Sequence, residues 1–387
     1  MQGPARIELS RKALKSNLRF LRKEIGPSPR ISLVVKGNAY GHGIESFVPL
    51  AQECGADHFS VFSSEEAGRV TKASARPCDL MVMGYVDPEA LDWMLATGIS
   101  FYVFELDRLR AALCSARRTG RPARVHLQLE TGMNRLGLDA DQLRAAVELI
   151  GRNREHLSVE GVCTHFAGAE SVSNYLRIRN QISVFEERCR WLDEAGVDYG
   201  MRHTACSAAA LAYPETIMDM VRFGIVAYGF WPTRETRIRY LLEKERGGRP
   251  HKDPLRRVMT LKSSIMSIKN VVPGDFVGYG ISYQAAGERR IASIPVGYSL
   301  GLARSLSNLG HVLVHGCRAP IAGLVNMSMA LVDVTHLKDV NIGDEVVIIG
   351  RQGRSSISVS SFSDMTGRLN YEVLVRLPER IPRAVVE

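Results

Sequence analysis

The hydrophobic pattern changes character once along the chain. In the first part, short strand-like runs recur at Ile31 to Lys36, His58 to Phe62, Leu80 to Gly84, Ser100 to Phe104, Arg124 to Leu129, Val159 to Thr164, Gly200 to Thr204 and Asp219 to Phe223. Stretches with helical spacing separate them, among them Asp107 to Arg117, Asp141 to Gly151 and Tyr175 to Gly196. Strands alternating with helices predict a parallel sheet. Eight such units within about 230 residues match the size of a closed (β/α)8 barrel. An open doubly wound sheet is the competitor, but no G-x-G-x-x-G follows the first run.

Later in the chain the pattern becomes short runs rich in β-branched residues: His311 to Val314, Ala319 to Ala322, Met329 to Val334 and Glu345 to Ile349. Turn signals at Pro273-Gly274-Asp275 and Ile342-Gly343-Asp344 punctuate them. The expected fold is therefore α/β, a TIM-type (β/α)8 barrel over residues 11–232 followed by a mostly β C-terminal domain over 258–387. Residues 1–10 are expected to pack on the β domain. The intervening stretch, 233–257, is rich in Arg and Lys and carries Gly-Gly and Pro, so it reads as a basic linker.

Charge modifies this picture little. The formal net charge of +9 favours anionic ligands, yet much of the excess falls in that linker, where Tyr240 is the sole aromatic. No groove-reading motif accompanies it, which argues against nucleic acid. No apolar run reaches the roughly 18 residues of a membrane span, and Met1 to Arg6 lacks a secretory apolar core. A soluble cytoplasmic protein is expected. Seven cysteines, with no C-x-x-C pair, argue against a disulfide framework and against a zinc site, so no metal is expected.

In a barrel, chemistry is carried by the loops after the C-terminal ends of the strands. Lys36 ends the first run and meets the glycine-rich turn Gly37 to Gly43; Arg135 follows the fifth run, His165 ends the sixth, Ser207 follows the seventh, and Arg222 with Gly224 and Ile225 closes the eighth. All would face one mouth. The loops after the last two strands commonly hold a phosphate, and Ser207 with the Gly224 and Ile225 amides could supply donors. A lysine amine, with an ordinary pKa of about 10.4, needs burial to become a nucleophile. A Schiff-base lysine beside a phosphate site suggests pyridoxal 5'-phosphate (PLP).

At this point the sequence resembles the alanine racemase family of fold-type III PLP enzymes along nearly its whole length. The resemblance is carried, in order, by Val34 to Gly43, Glu130-Thr131-Gly132-Met133-Asn134-Arg135-Leu136-Gly137, Thr164-His165-Phe166-Ala167, Arg222-Phe223-Gly224-Ile225, Val277-Gly278-Tyr279-Gly280, Ile294-Pro295-Val296-Gly297-Tyr298 and Gly343-Asp344-Glu345. It implies that Lys36 forms the Schiff base and that Tyr279 is the second acid/base. It further implies that Tyr40, Ser207, Gly224, Ile225 and Tyr371 hold the phosphate, that Arg222 meets the pyridine nitrogen, and that His165 lies behind it. Arg135 would steady the phenol and substrate region, the Met327 backbone would meet the substrate carboxylate, and Tyr298 would help confine a small side chain. Tyr279 and Met327 would come from the partner subunit of a head-to-tail homodimer. The implied reaction is interconversion of L- and D-alanine, or other small amino acids, by two-base α-proton exchange.

Taken singly, these residues have ordinary readings: Tyr279 and Tyr371 as packing aromatics, His165 as a hydrogen-bonded barrel histidine, Arg222 as a carboxylate partner, Ser207 as a helix cap. The chain also departs from the family pattern. Gln128 stands where many members have a lysine beside the arginine loop, Cys206 precedes Ser207 in place of asparagine, and Leu300, Leu324 and Ser328 replace charged residues. Leu300 and Leu324 are expected to make the substrate entrance more apolar. A PLP-dependent decarboxylase, a non-catalytic PLP-binding barrel and a barrel hydrolase remain as alternatives.

Overall fold

The computed structural model describes residues 3–245 and 252–387. The described chain forms two compact units. One contains Ala13–Lys36 and Val48–Arg256; the other gathers the residues up to Lys12, the short segment Gly37–Phe47, and everything from Arg257 onward.

Strand β1 (Arg6–Ser10) belongs to the second unit, whereas the next eight strands build the first. These are β2 (Arg30–Val34), β3 (His58–Ser63), β4 (Asp79–Tyr85), β5 (Ser100–Val103), β6 (Ala123–Gln128), β7 (Leu157–Cys163), β8 (Met201–His203) and β9 (Met220–Phe223). They pair in parallel in the order β8-β7-β6-β5-β4-β3-β2-β9. The two ends nearly close into a barrel, because the Arg222 amide donates to the Ala205 carbonyl at 3.0 Å and Cys206 bridges Arg222 just beyond β8. Phe59, Phe101, Val125, Leu127, Val162 and Phe223 are fully buried in these strands. Burial on both faces is why apolar residues crowd these strands without strict alternation.

Helices alternate with the strands, including Leu106–Thr119, Ala140–Gly151 and Tyr175–Glu194. Their ends have local causes. Asp139 and Gln142 form a capping box at the start of the second, and Gly120, at φ 65°, closes the first.

The stretch expected as a basic linker is largely something else. Arg234–Glu245 is a helix, started by Thr233, whose Oγ1 accepts from the Thr236 amide. Arg239 pairs with Glu243 along it. Tyr240 is buried edge-on against Phe20 and donates its hydroxyl to Glu24 at 2.9 Å. The charges that suggested a solvated connector lie on its outer side. Residues 246–251 of that expected linker lie outside the described residues.

In the second unit β10 (Met259–Ser264), β11 (Ser267–Val271), β12 (Arg289–Ile294), β13 (His311–Val314), β14 (Cys317–Pro320), β15 (Ala330–Asp333), β16 (Glu345–Gln352), β17 (Ser355–Ile357) and β18 (Arg383–Val386) follow in order. The larger sheet runs β14-β13-β16-β10-β1-β18 with β17 on β16, and β11-β12-β15 form a smaller one. Strand β1 pairs antiparallel with β10 and parallel with β18. Two short helices, Val359–Thr366 and Asn370–Val375, add to this mostly β unit what the β-branched pattern did not announce.

Candidate active site

Lys36 lies two residues beyond the end of β2. The strand end before it is fixed from two sides: the Val35 amide donates to the Ser60 carbonyl at 2.8 Å, and the Tyr228 hydroxyl donates to the Val34 carbonyl at 2.9 Å. The lysine side chain is reachable from solvent yet stands in a cup of protein. That desolvation, followed by the positive charge of Arg135, lowers the amine pKa, while Glu66 opposes it. A larger fraction of neutral amine near neutrality is the electronic condition for a nucleophilic lysine.

On the adjoining strand β9, Arg222 is buried beside β2, opposite Ser32 in the register. One terminal nitrogen donates to the His203 carbonyl at 2.5 Å and to His203 Nδ1 at 2.6 Å; the other donates to the carbonyls of Thr164 at 2.9 Å and Thr204 at 3.0 Å. Because a guanidinium only donates, His203 must accept at Nδ1 and carry its proton on Nε2. That proton faces His126 Nδ1 at 3.0 Å, and His126 Nε2 then faces Ser100 Oγ at 3.2 Å. Burial first, then Arg222, drives the His203 pKa well below its ordinary value, and His126 falls to about 3. Both rings are neutral, and the file of groups has one direction.

His165, after β7, has its pKa lowered to about 3 by burial and then by Arg222, Arg135 and Lys36. The barrel thus gathers four of the expected residues into one electrostatic environment, and His165 serves there as a neutral ring. Ser207 is buried, and its Oγ accepts from the Gly224 amide at 3.0 Å. This bond ties the loops after β8 and β9 together, and the serine keeps its own proton for another acceptor. Ile225 is buried next to Gly224.

Arg135 sits on a preformed loop. The Glu130 carboxylate accepts from the amides of Gly132 (2.5 Å), Met133 (2.7 Å) and Asn134 (3.0 Å), and Thr131 bonds Thr164 at 2.8 Å. Gln128, which stands where many family members have a lysine, is buried, and its amide donates to the carbonyl of Leu136, next to Arg135, at 3.0 Å, so it holds the backbone of the loop.

In the second unit, Gly37, Asn38, Ala39, Tyr40 and Gly41 form a left-handed turn with φ of 61°, 54°, 52°, 50° and 77°. For the three non-glycine residues this costs about 1–2 kcal/mol each. The turn is stitched by Gly41 N to Gly37 O at 3.0 Å, Gly43 N to Asn38 O at 2.9 Å, and Ile44 N to Asn38 Oδ1 at 3.0 Å. It presents Tyr40, whose ring lies 6.0 Å from that of Tyr371. The other expected residues of this unit stand outward: Tyr279 is 70% exposed, Met327 60% and Tyr298 42%, flanked by exposed Phe276 and Ile281. The Tyr298 and Met327 loops lie back to back, with Tyr298 N donating to Asn326 O and Ser299 N to Met327 O, both at 3.0 Å. Leu300, expected to line an entrance, is 7% exposed, and only Leu324 of that pair is partly open. A family position does not by itself disclose burial, which is why Leu300 was misplaced.

A depressed lysine at a barrel strand end, sharing the surroundings of His165 with a buried arginine held by four hydrogen-bond acceptors, together with a serine with a proton to give, is the donor set of a PLP-dependent barrel enzyme. The comparisons specify it further. The alanine racemase N-terminal domain matches residues 9–232 and the alanine racemase C-terminal domain residues 258–385. The chain belongs to the alanine racemase family. Alanine racemase of Methanococcus maripaludis is 35% identical, covering 98% of this chain and 97% of that protein, and alanine racemase of Desulforamulus reducens is 35% identical over the full length of both. Among solved structures, alanine racemase of Clostridium difficile 630 superposes with a TM-score of 0.88 at 29% identity, covering 100% of this chain and 97% of that one. That of Streptomyces lavendulae gives 0.88 at 31%, covering 99% and 97%.

The site contains groups that the sequence reading passed over. His203 and His126 lie in the seventh and fifth predicted runs, where Arg202 and Thr204, and Arg124 and Gln128, are also polar, so the local pattern did not single them out. Among the described residues no set of side chains forms a metal cluster, and no helix is long and apolar enough to cross a membrane.

Proposed function

We propose that this chain is a PLP-dependent racemase that interconverts L- and D-alanine. The observation that carries this is Lys36 with its depressed pKa in the same charged barrel environment as the buried Arg222. When bound, PLP supplies an electrophilic aldehyde and a conjugated ring that disperses negative charge from the substrate α-carbon. Lys36 anchors it and takes or returns the α-proton at Nζ on one face. Tyr279 does the same at its hydroxyl on the other, since racemisation needs an acid/base on each side of a planar carbon. Arg222, held by carbonyls and by a neutral histidine, keeps its charge and meets the pyridine nitrogen as a donor. Ser207, Gly224, Ile225, Tyr40 and Tyr371 hold the phosphate. His165 packs behind the arginine as a neutral ring, Arg135 steadies the phenol and the substrate region, the Met327 backbone meets the carboxylate, and Tyr298 confines the side chain to a small group.

The exposure of Tyr279, Met327, Phe276 and Ile281 supports a homodimer in which these residues serve the partner's barrel. Cytoplasmic residence is supported by seven free cysteines. The test is to incubate the PLP-loaded protein with L-alanine in deuterium oxide. The expected result is α-deuterated alanine of both hands and decay of optical rotation to zero. Retention of the α-proton and of the rotation overturns the reading, and release of carbon dioxide replaces it with decarboxylation.

A further inference from the structure

We infer that Arg383, near the C-terminus, is the positioning residue that holds the left-handed turn presenting Tyr40 in its cofactor-ready shape. The inference rests on the PLP reading above.

The guanidinium works as a clasp. One terminal nitrogen donates to the carbonyls of Pro378 (2.8 Å), Glu379 (2.7 Å) and Ile381 (2.5 Å), and the other donates to the Gly41 carbonyl at 3.0 Å. Arg383 therefore joins the C-terminal turn 378–381 to the far end of the left-handed turn. The sequence makes room for it at Gly43, where a Cβ would lie 3.1 Å from the arginine Cδ. A second hold comes from the helix Asn370–Val375: a Cβ at Gly41 would lie 2.0 Å from the Leu374 carbonyl oxygen, and one at Gly37 would lie 3.3 Å from Val375 Cγ1. The same helix carries Tyr371, whose ring meets that of Tyr40.

These contacts define a division of labour. The helix limits how far the turn can move outward, through the close approaches at Gly41 and Gly37. Local bonds close the turn upon itself, and the Arg383 bond to Gly41 ties it to a distant segment. The planar fork of arginine, with several donors in fixed directions, is the element that can bond two backbone segments at once. A lysine ammonium is a single point of donation and would serve fewer of these carbonyls.

The test compares wild type with Arg383→Met and Arg383→Lys. Hydrogen–deuterium exchange of the PLP-free proteins reads the turn directly, and PLP titration followed by fluorescence reads its consequence. Faster exchange confined to residues 37–47 is expected in Arg383→Met, with a PLP dissociation constant about 10- to 100-fold higher, the usual effect of removing a partner that orients a binding group. Arg383→Lys should lie between the two, and it supplies both readouts if the methionine variant does not fold. Racemase turnover should recover with added PLP, so the defect appears in PLP dependence rather than in saturated rate. Unchanged exchange at 37–47 and unchanged PLP affinity in a folded variant overturn the inference, as does faster exchange spread evenly over the chain. If wild type itself binds no PLP, the cofactor reading falls, while the exchange data still decide whether Arg383 holds the turn.

Discussion

Arg222 donates to His203 Nδ1 at 2.6 Å inside the barrel, and this bond forces a neutral histidine to face a permanent cation. Protonating His203 would place two positive charges in contact with little water to screen them. The arrangement secures Arg222 as the charged partner and makes the histidines the acid-sensitive part of the barrel.

That sensitivity has a definite sign. His58, His126 and His165 have folded pKa values lowered to about 3, against about 6.5 in an unfolded chain. The unfolded state therefore takes up protons first, and stability present above pH 6.5 is lost as pH falls from there toward 3. Urea midpoints measured at intervals from pH 7.5 to 4.5 should fall steadily below 6.5. A flat profile across that range would contradict the neutral-histidine account.

Opposed acid/base groups predict complementation. Lys36→Ala should abolish activity and the visible absorbance of bound PLP, and Tyr279→Phe should retain PLP while slowing turnover by about 10²- to 10⁴-fold. If the two residues of each site come from different subunits, mixing the two inactive proteins should restore one intact site per mixed dimer. Absence of recovery in mixed dimers verified by mass would refute the shared site.

Two glycines of similar φ separate close approach from backbone conformation. Gly26 has φ 79° with nothing within 4 Å of a built Cβ, whereas Gly41 has φ 77° and a backbone oxygen 2.0 Å away. Gly26→Ala should destabilise by about 1 kcal/mol, from left-handed strain alone. Gly41→Ala should lose at least twice as much and weaken PLP binding as well. Equal denaturation midpoints for the two variants would show that the helix Asn370–Val375 yields at no cost.

Leu300 and Leu324 are not an interchangeable pair. Leu300 is 7% exposed, so Leu300→Asp buries an uncompensated charge and should destabilise by about 3–5 kcal/mol. Leu324→Arg can direct its charge toward water and should change the melting temperature little. Calorimetry of the two single variants distinguishes them, and similar melting temperatures would place Leu300 at the surface after all.

How much of this was legible depends on the kind of signal each residue left. The barrel strands could be read because burial on both faces yields short runs rich in apolar residues at regular spacing, and Lys36 could be read because it ends one beside glycines. Arg234–Glu245 reads as a connector because charged residues dominate its composition, while its buried residues Thr236 and Tyr240 leave only a sparse signal in sequence. His203 and His126 are separated by 77 positions, so no local pattern announces that their rings meet. The clasp of Arg383 on Gly41 spans 342 positions and is likewise invisible without the fold. Leu300 carried a family position but no information about its neighbours.

The pairing of β1 also sets a timetable for synthesis. Leu9 lies opposite Met259, and Ser10 lies beside Val386. A ribosome adding about 5–20 residues per second therefore releases this strand on the order of 10 to 50 s before its first partner exists, and longer before its second. During that interval the barrel strands emerge in order, each able to meet the one before it, while β1 waits with open backbone donors and acceptors on both edges. Arg6, Glu8 and Arg11, charged side chains on and beside that strand, keep such a segment soluble until β10 arrives.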